Sequence, residues 1–219
     1  MDSRKIIEEI KSKGGNVLLL QGPRGLFFTR FSRYLRRHGV NVYKINLNGG
    51  DEVFYPAPNA YAFRGRPSEW EDFLAPFFRE KQLDAIFLFG DCRPYHQIAV
   101  KQAHFYKIPV FVFEEGYIRP DYITFEKHGV NGYSGIPCSP EFYLSLPKSE
   151  EHKPLPARTS FLKMAVSAVI YHLFELLMRW KYPHYRYHKE FSYMKEPFLW
   201  IRSGVRKIIY RLSLLQKYL

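Results

Sequence analysis

AIFLFGDCRPYHQIAVKQAHFYKIPVFVFEEGYIRPDYITFEKHGVNG, residues 85–132, decides how this chain is read. The runs at 86–89 and 109–113 are short, β-branched or aromatic and nearly free of polar residues, as strands covered on both faces of a parallel sheet are. Charge follows each run at once: Asp91 and Arg93 after the first, Glu114 and Glu115 after the second. Between them, about 95–106 is expected to be the crossover helix that joins parallel neighbours. Ligands of open α/β sheets lie beyond the carboxyl ends of the strands, so both charged loops are expected to face one crevice.

The same alternation extends toward the N-terminus. Residues 16–20 read as a buried strand, 21–25 as a turn, and 26–38 as a basic amphipathic helix ended by Gly39. A strand is expected at 40–46, a sharp turn at 47–51, a short extended piece near 60–64, and a helix from about Pro67 to Glu80. Repeated βα units imply a right-handed, mostly parallel sheet, an α/β fold of Rossmann-like architecture over residues 1–150. Beyond Gly132, five prolines between 137 and 156 punctuate a polar stretch that reads as a linker or surface loop. An apolar helix at 161–180, an aromatic and basic stretch at 182–189 and a basic helix from about 197 to 219 make up a helical segment, 151–219, with no further strand pattern.

The net charge of +12 belongs to that segment: residues 1–151 hold 20 Lys and Arg against 18 Asp and Glu, whereas 152–219 hold 13 against 3. Such asymmetry suggests attraction to an anionic surface. The N-terminus has no apolar core of a secretory signal, which places the expected location inside the cell. The helix 161–180 is interrupted by Lys163, His172, Glu175 and Arg179, so packing on protein or contact with a membrane surface is expected rather than a span. Cys92 and Cys138 are read as free thiols in a reducing cytoplasm, with no metal site. The Tyr182–Lys189 stretch could stack on nucleic acid, but no nucleic-acid module accompanies it, and the same residues suit a lipid headgroup interface.

Several residues could carry chemistry. Gln21, Gly22 and Arg24 follow the first strand and open a helix, where an anion could meet free backbone N–H groups; a tight turn would need the glycine equally. Asn48, Gly49 and Gly50, followed by Asp51, have the same double reading. Asp91, Arg93 and His96 sit on the loop and first helical turn after the 85–89 strand, where an acid can also cap a helix. Glu114 and Glu115 would repel each other at the end of a buried strand unless paired or used. Arg119 is either their ion-pair partner or a clamp for an anionic substrate, with one carboxylate as nucleophile or general base.

Four blocks, LLLQGPRGLFFTRFSRYLRRHG, INLNGGDEVFYP, LFGDCRPYH and FEEGYIRPDYITFEKHGVNG, in this order and spacing, resemble the N-terminal half of the capsule polysaccharide biosynthesis and export family of Gram-negative bacteria. The likeness covers about residues 16–145. It implies one half of a GT-B-type glycosyltransferase, a Kdo transferase that uses CMP-Kdo as donor, no further cofactor, and a phospholipid or Kdo-lipid acceptor at the inner face of the cytoplasmic membrane. By motif position it gives Glu115 the nucleophile's role in a double displacement, with Glu114 second. Arg119 and Arg93 would then meet the Kdo carboxylate or the CMP phosphate, and Asp91 or Asp51 would serve as base on the acceptor hydroxyl. Members of the family continue into a second domain, so a shortened or split gene, or a partner polypeptide supplying that half, is expected. The competing expectation is a non-catalytic capsule component that docks on the membrane or on other capsule-assembly proteins through residues 160–219.

Overall fold

The computed structural model describes residues 3–117, 121–147, 156, 161–187 and 195–215. In chain order its helices are α1 (Ser3–Lys13), α2 (Phe27–Arg37), α3 (Gly49–Val53), α4 (Trp70–Glu80), α5 (Pro94–Phe105), α6 (Pro140–Ser145), α7 (Phe161–Leu177) and α8 (Lys195–Leu215). Its strands are β1 (Asn16–Leu19), β2 (Asn41–Asn46), β3 (Ala60–Ala62), β4 (Ala85–Phe89), β5 (Val110–Glu115) and β6 (Ile123–Lys127). They form one sheet in the order β3-β2-β1-β4-β5-β6. All neighbouring pairs are parallel except β5 with β6, which is antiparallel. This is the expected Rossmann-like α/β architecture.

Strand alternation sends the side chains into two cores. Leu18, Ile86, Leu88, Val110 and Val112 meet Trp70, Leu74 and Phe78 of α4 and Ala99 and Ala103 of α5. On the opposite face Val17, Leu19, Phe87, Phe111 and Phe113 meet Ile6, Ile7 and Ile10 of α1 and Phe28 and Leu35 of α2. Burying both faces is what made the parallel strands legible as continuous apolar runs.

Three elements differ from the sequence expectation. Residues 48–53 are not a sharp turn: Asn48 caps α3, its side chain accepting from the Asp51 N–H at 2.9 Å. The polar stretch after Gly132 contains α6, whose N-terminus is capped by Ser139. ITFEK at 123–127 forms the edge strand β6, where Phe125 stacks on Phe113 at 4.5 Å. Its half-polar composition reflects a partly exposed edge rather than a covered strand.

The chain divides into two compact units, Met1–Tyr185 and Arg186–Leu219. Helix α7 packs on α3 within the first, burying Ala168, Tyr171 and Glu175, which lie three and four residues apart on one face. The described part of the second unit is mainly α8, a helix with exposed Phe198, Ile201, Val205 and Ile208 and the basic residues Arg202, Arg206, Lys207 and Arg211. No helix among the described residues is long and apolar enough to cross a membrane.

Candidate functional site

The strand order reverses between β1 and β4, so the chain leaves the sheet in opposite directions there and opens a crevice beyond their carboxyl ends. Gln21 follows β1 and Arg93 follows β4, and the structure joins them: Arg93 Nη1 donates to Gln21 Oε1 at 3.0 Å and to the Gly22 carbonyl at 3.3 Å. The Gln21 amide in turn donates to Asp51 at 3.3 Å, to the Tyr171 hydroxyl at 2.9 Å and to the Tyr185 hydroxyl at 3.1 Å. Asp51 is fully engaged, with Oδ1 accepting from Tyr171 at 3.0 Å and Oδ2 from the Leu47 N–H at 3.1 Å. Asn48 completes the network by donating to Tyr171 at 2.8 Å. Four of the expected site residues, Gln21, Asn48, Asp51 and Arg93, therefore meet in one buried polar cluster, closed on its outer side by tyrosines from beyond residue 170.

The glycines near this cluster serve packing. A Cβ on Gly50 would lie 2.7 Å from the Tyr171 ring, and one on Gly49 would fall inside the Phe174 carbonyl oxygen. The absence of side chains there lets α3 touch α7, rather than leaving backbone open to a ligand. Gly22 likewise makes room for Phe28, whose ring would be 2.7 Å from an added Cβ. Arg24 is half-buried on the same turn.

Around Gly90 the second group assembles. Gly90 has a left-handed φ of 69°, which a residue without Cβ adopts at little cost. The Glu114 carboxylate lies 3.2 Å, and Arg93 Nε 4.0 Å, from where a Gly90 Cβ would stand, so acid and base flank the same turn. Glu114 Oε1 also accepts from the Glu115 N–H at 2.9 Å. Strand alternation places the two glutamates on opposite faces of β5, Glu114 half-buried and Glu115 exposed, and this relieves the repulsion that their adjacency suggested. Arg119 lies outside the described residues.

Asp91 and His96 hold the loop in shape. Asp91 Oδ2 accepts from the Val130 N–H at 2.8 Å and Oδ1 from the Cys92 thiol at 3.4 Å, which ties the β4 loop to the segment after β6. Burial, followed by this bond to Asp91, pushes the Cys92 thiol up from its ordinary value. His96 is fully buried with Nδ1 against the Gly90 carbonyl.

Sequence reasoning missed Lys44 and Tyr171, and read Tyr182 and Tyr185 only as part of an aromatic and basic surface stretch. Lys44 is 2% exposed beneath the cluster; burial pulls its ammonium down to about 8, and Asp51 opposes that shift. The signal was present as a lysine between Tyr43 and Ile45 in the middle of the strand NVYKIN. Tyr171 and Tyr185 hydroxyls are pushed well up, chiefly by burial and then by Asp51. The aromatic stretch from 182 is not an outward-facing platform, since Tyr182 is buried with its hydroxyl on Glu52 and Tyr185 stacks on Tyr95 at 5.9 Å. Residues 188–189 lie outside the described residues. Glu52 also accepts from Lys181 at 2.6 Å; burial opposes ionisation, but these two bonds hold its carboxyl below the ordinary value.

An open, mostly parallel sheet with a polar crevice where the strand order reverses defines a Rossmann-like α/β domain. Residues 84–214 match the model of the capsule polysaccharide biosynthesis protein family, and the chain belongs to that family. Over 200 residues it is 37% identical to the capsule polysaccharide export protein KpsS of Escherichia coli, a match covering 91% of this chain and 51% of the relative. Over 189 residues it is 37% identical to the capsule polysaccharide modification protein LipB of Neisseria meningitidis serogroup A, covering 84% and 45%. The serogroup B protein of the same name matches to the same extent. The chain thus spans about half the length of the curated relatives it matches.

Proposed function

We propose that this chain supplies the acceptor-side domain of a capsule-assembly glycosyltransferase that moves Kdo from CMP-Kdo to a phospholipid or Kdo-lipid at the inner face of the cytoplasmic membrane. The observation that supports this reading is the pair of carboxylates at the end of β5, Glu114 on the same turn as Arg93 and Glu115 exposed on the opposite face of the strand. A carboxylate there can attack the anomeric carbon as CMP departs with the bonding electrons, leaving a glycosyl ester. The acceptor hydroxyl then displaces the carboxylate and passes its proton to Asp91 or Asp51 as base, so configuration is retained. Glu115 is assigned as nucleophile by motif position, with Glu114 the neighbour on the Arg93 side. Arg93, held in place by Gln21, suits the CMP phosphate or the sugar carboxylate as a planar donor. A second domain, corresponding to the other half of the relatives, would form the facing wall.

The test is CMP release from CMP-Kdo with a short-chain lipid acceptor, using the chain alone and together with a polypeptide corresponding to the remaining half of the relatives. Activity in either arrangement is expected, with a loss of at least about a thousandfold in Glu115→Gln. Survival of that variant alongside loss in Glu114→Gln moves the nucleophile by one residue. Absence of CMP release in both arrangements overturns the transferase and leaves a non-catalytic capsule component, for which the exposed apolar and basic surface of α8 offers a membrane contact.

A further inference from the structure

We propose that the outward face of α7 pairs, antiparallel, with the same face of a second copy of this chain. Leu162, Val166, Val169, Leu173, Leu176 and Trp180 recur at alternating steps of four and three residues, the spacing of a seam that interlocks with a facing helix. Regular α7 ends at Leu177, but the Met178 N–H on the Phe174 carbonyl at 3.0 Å and the Arg179 N–H on that of Leu176 at 3.2 Å carry the turn on toward Trp180. All six seam residues are between 48% and 79% exposed. Ala168, Tyr171 and Glu175, which seat the helix on α3, fall on its other side. One face therefore holds α7 in place and the opposite face carries the seam.

Area, charge and side-chain size select a second copy as the occupant. With exposed Leu177 the seam offers roughly 800 Å² per chain, the share one partner contributes to a standard interface. That exceeds the roughly 300–600 Å² of the largest apolar patch on an ordinary monomer. The one carboxylate within 161–180 is Glu175, buried on the α3 side, so the seam has no acid to offer a basic partner. Its two flanking cations, Lys163 and Arg179, stand at opposite ends. Turned end for end about a two-fold axis at the level of residue 171, Leu162 meets the partner's Trp180, Val166 the partner's Leu176, and Val169 the partner's Leu173. Each layer then joins a larger side chain to a smaller one, whereas a parallel pair would set Trp180 on Trp180 and Val169 on Val169. Lys163 comes beside the partner's Leu177 and Arg179 beside the partner's Ala165, so like charges do not face each other. Tyr171 and Glu175 stay on α3, and the crevice of each copy is left as it is.

The pairing is independent of sugar transfer and is tested without donor or acceptor. Sedimentation of the full chain from micromolar to submillimolar concentration should show a species of twice 26.1 kDa. Its share should grow with salt, because screening weakens the repulsion between two chains of net charge +12 and leaves the apolar seam intact. Val169→Glu and Leu173→Glu, each placing a charge in the seam twice, should weaken association at least about a hundredfold, with an unchanged urea midpoint. Ile201→Glu, on exposed α8, should leave association as it was. In a background of Cys92→Ser and Cys138→Ser, a mixture of Val169→Cys and Leu173→Cys chains should form an interchain disulfide faster than either variant alone, a readout that survives if the glutamate variants fail to fold. The pairing is overturned if the wild-type chain stays monomeric at every concentration and salt, with lipid the occupant where vesicles take up that chain and not Leu173→Glu. It is equally overturned if folded glutamate variants still associate, if Ile201→Glu abolishes association, or if Val169→Cys links to itself faster than to Leu173→Cys.

Discussion

Lys44 is the residue whose chemistry depends most on its surroundings. Its folded pKa of about 8 lies below the ordinary 10.5, so between these values the unfolded chain binds more protons than the folded one. Stability therefore rises with pH across that window, and below pH 8 the full cost of burying the charge is present. From pH 7.5 to 9.5 the Lys44 contribution should amount to about 2 kcal/mol. Urea unfolding of the wild-type chain should show that rise, and Lys44→Met should remove it. Above pH 10 the raised tyrosines act the other way, since unfolding would free Tyr171 and Tyr185 to ionise. The α3 glycines are equally sensitive to their neighbours. Gly49→Ala drives a methyl into the α7 backbone and should cost about 1–3 kcal/mol or more. Gly132→Ala, with nothing within 4 Å, should stay within about 0.5 kcal/mol in the same denaturation series.

At the scale of elements, α7 is unusual in burying a glutamate while leaving many of its apolar residues exposed. Tyr171 and Glu175 are inside, whereas Leu162, Val166, Val169 and Leu173 are at the surface. Its attachment thus depends on hydrogen bonds, and Tyr171→Phe should lower unfolding free energy by about 1–3 kcal/mol, because Asp51 loses a donor in the interior. The strands β1, β4 and β5 were legible because two-sided burial writes itself as apolar runs, and β2, although interrupted by Lys44, was legible from its place between a helix and a turn. Edge strand β6 was not, since ITFEK carries as much polar as apolar character and takes its stability from Phe125 against Phe113. The crevice was legible at Gln21 and Arg93, which local order places at strand ends. Its closure by Tyr171 and Tyr185 was not, because no local pattern reveals that a residue 150 positions from Gln21 will reach back to it. Gly49 and Gly50 show the same limit: a glycine that admits a ligand and one that admits a helix are written alike.

For the whole molecule, the charge of +12 is concentrated where the structure has least core. If the proposed membrane contact is made through basic α8, flotation with anionic vesicles should succeed at low salt and fall steeply as ionic strength rises past physiological values. Binding that ignores salt would assign the contact to the exposed apolar residues of α7 instead. The reach from α3 to α7 has a bearing on biosynthesis as well. Asp51 and Tyr171 are 120 residues apart, which at ribosomal speed is a delay of about 6–24 s. Late in that interval, once β6 has been made, the sheet has all six strands but no cover from α7 over Asp51 and Lys44, and both remain in water as ordinary ions. Dehydration of the crevice is thus a late event of folding, and a nascent chain arrested before residue 161 would present a wet, charged cleft to whatever chaperone or partner meets it first.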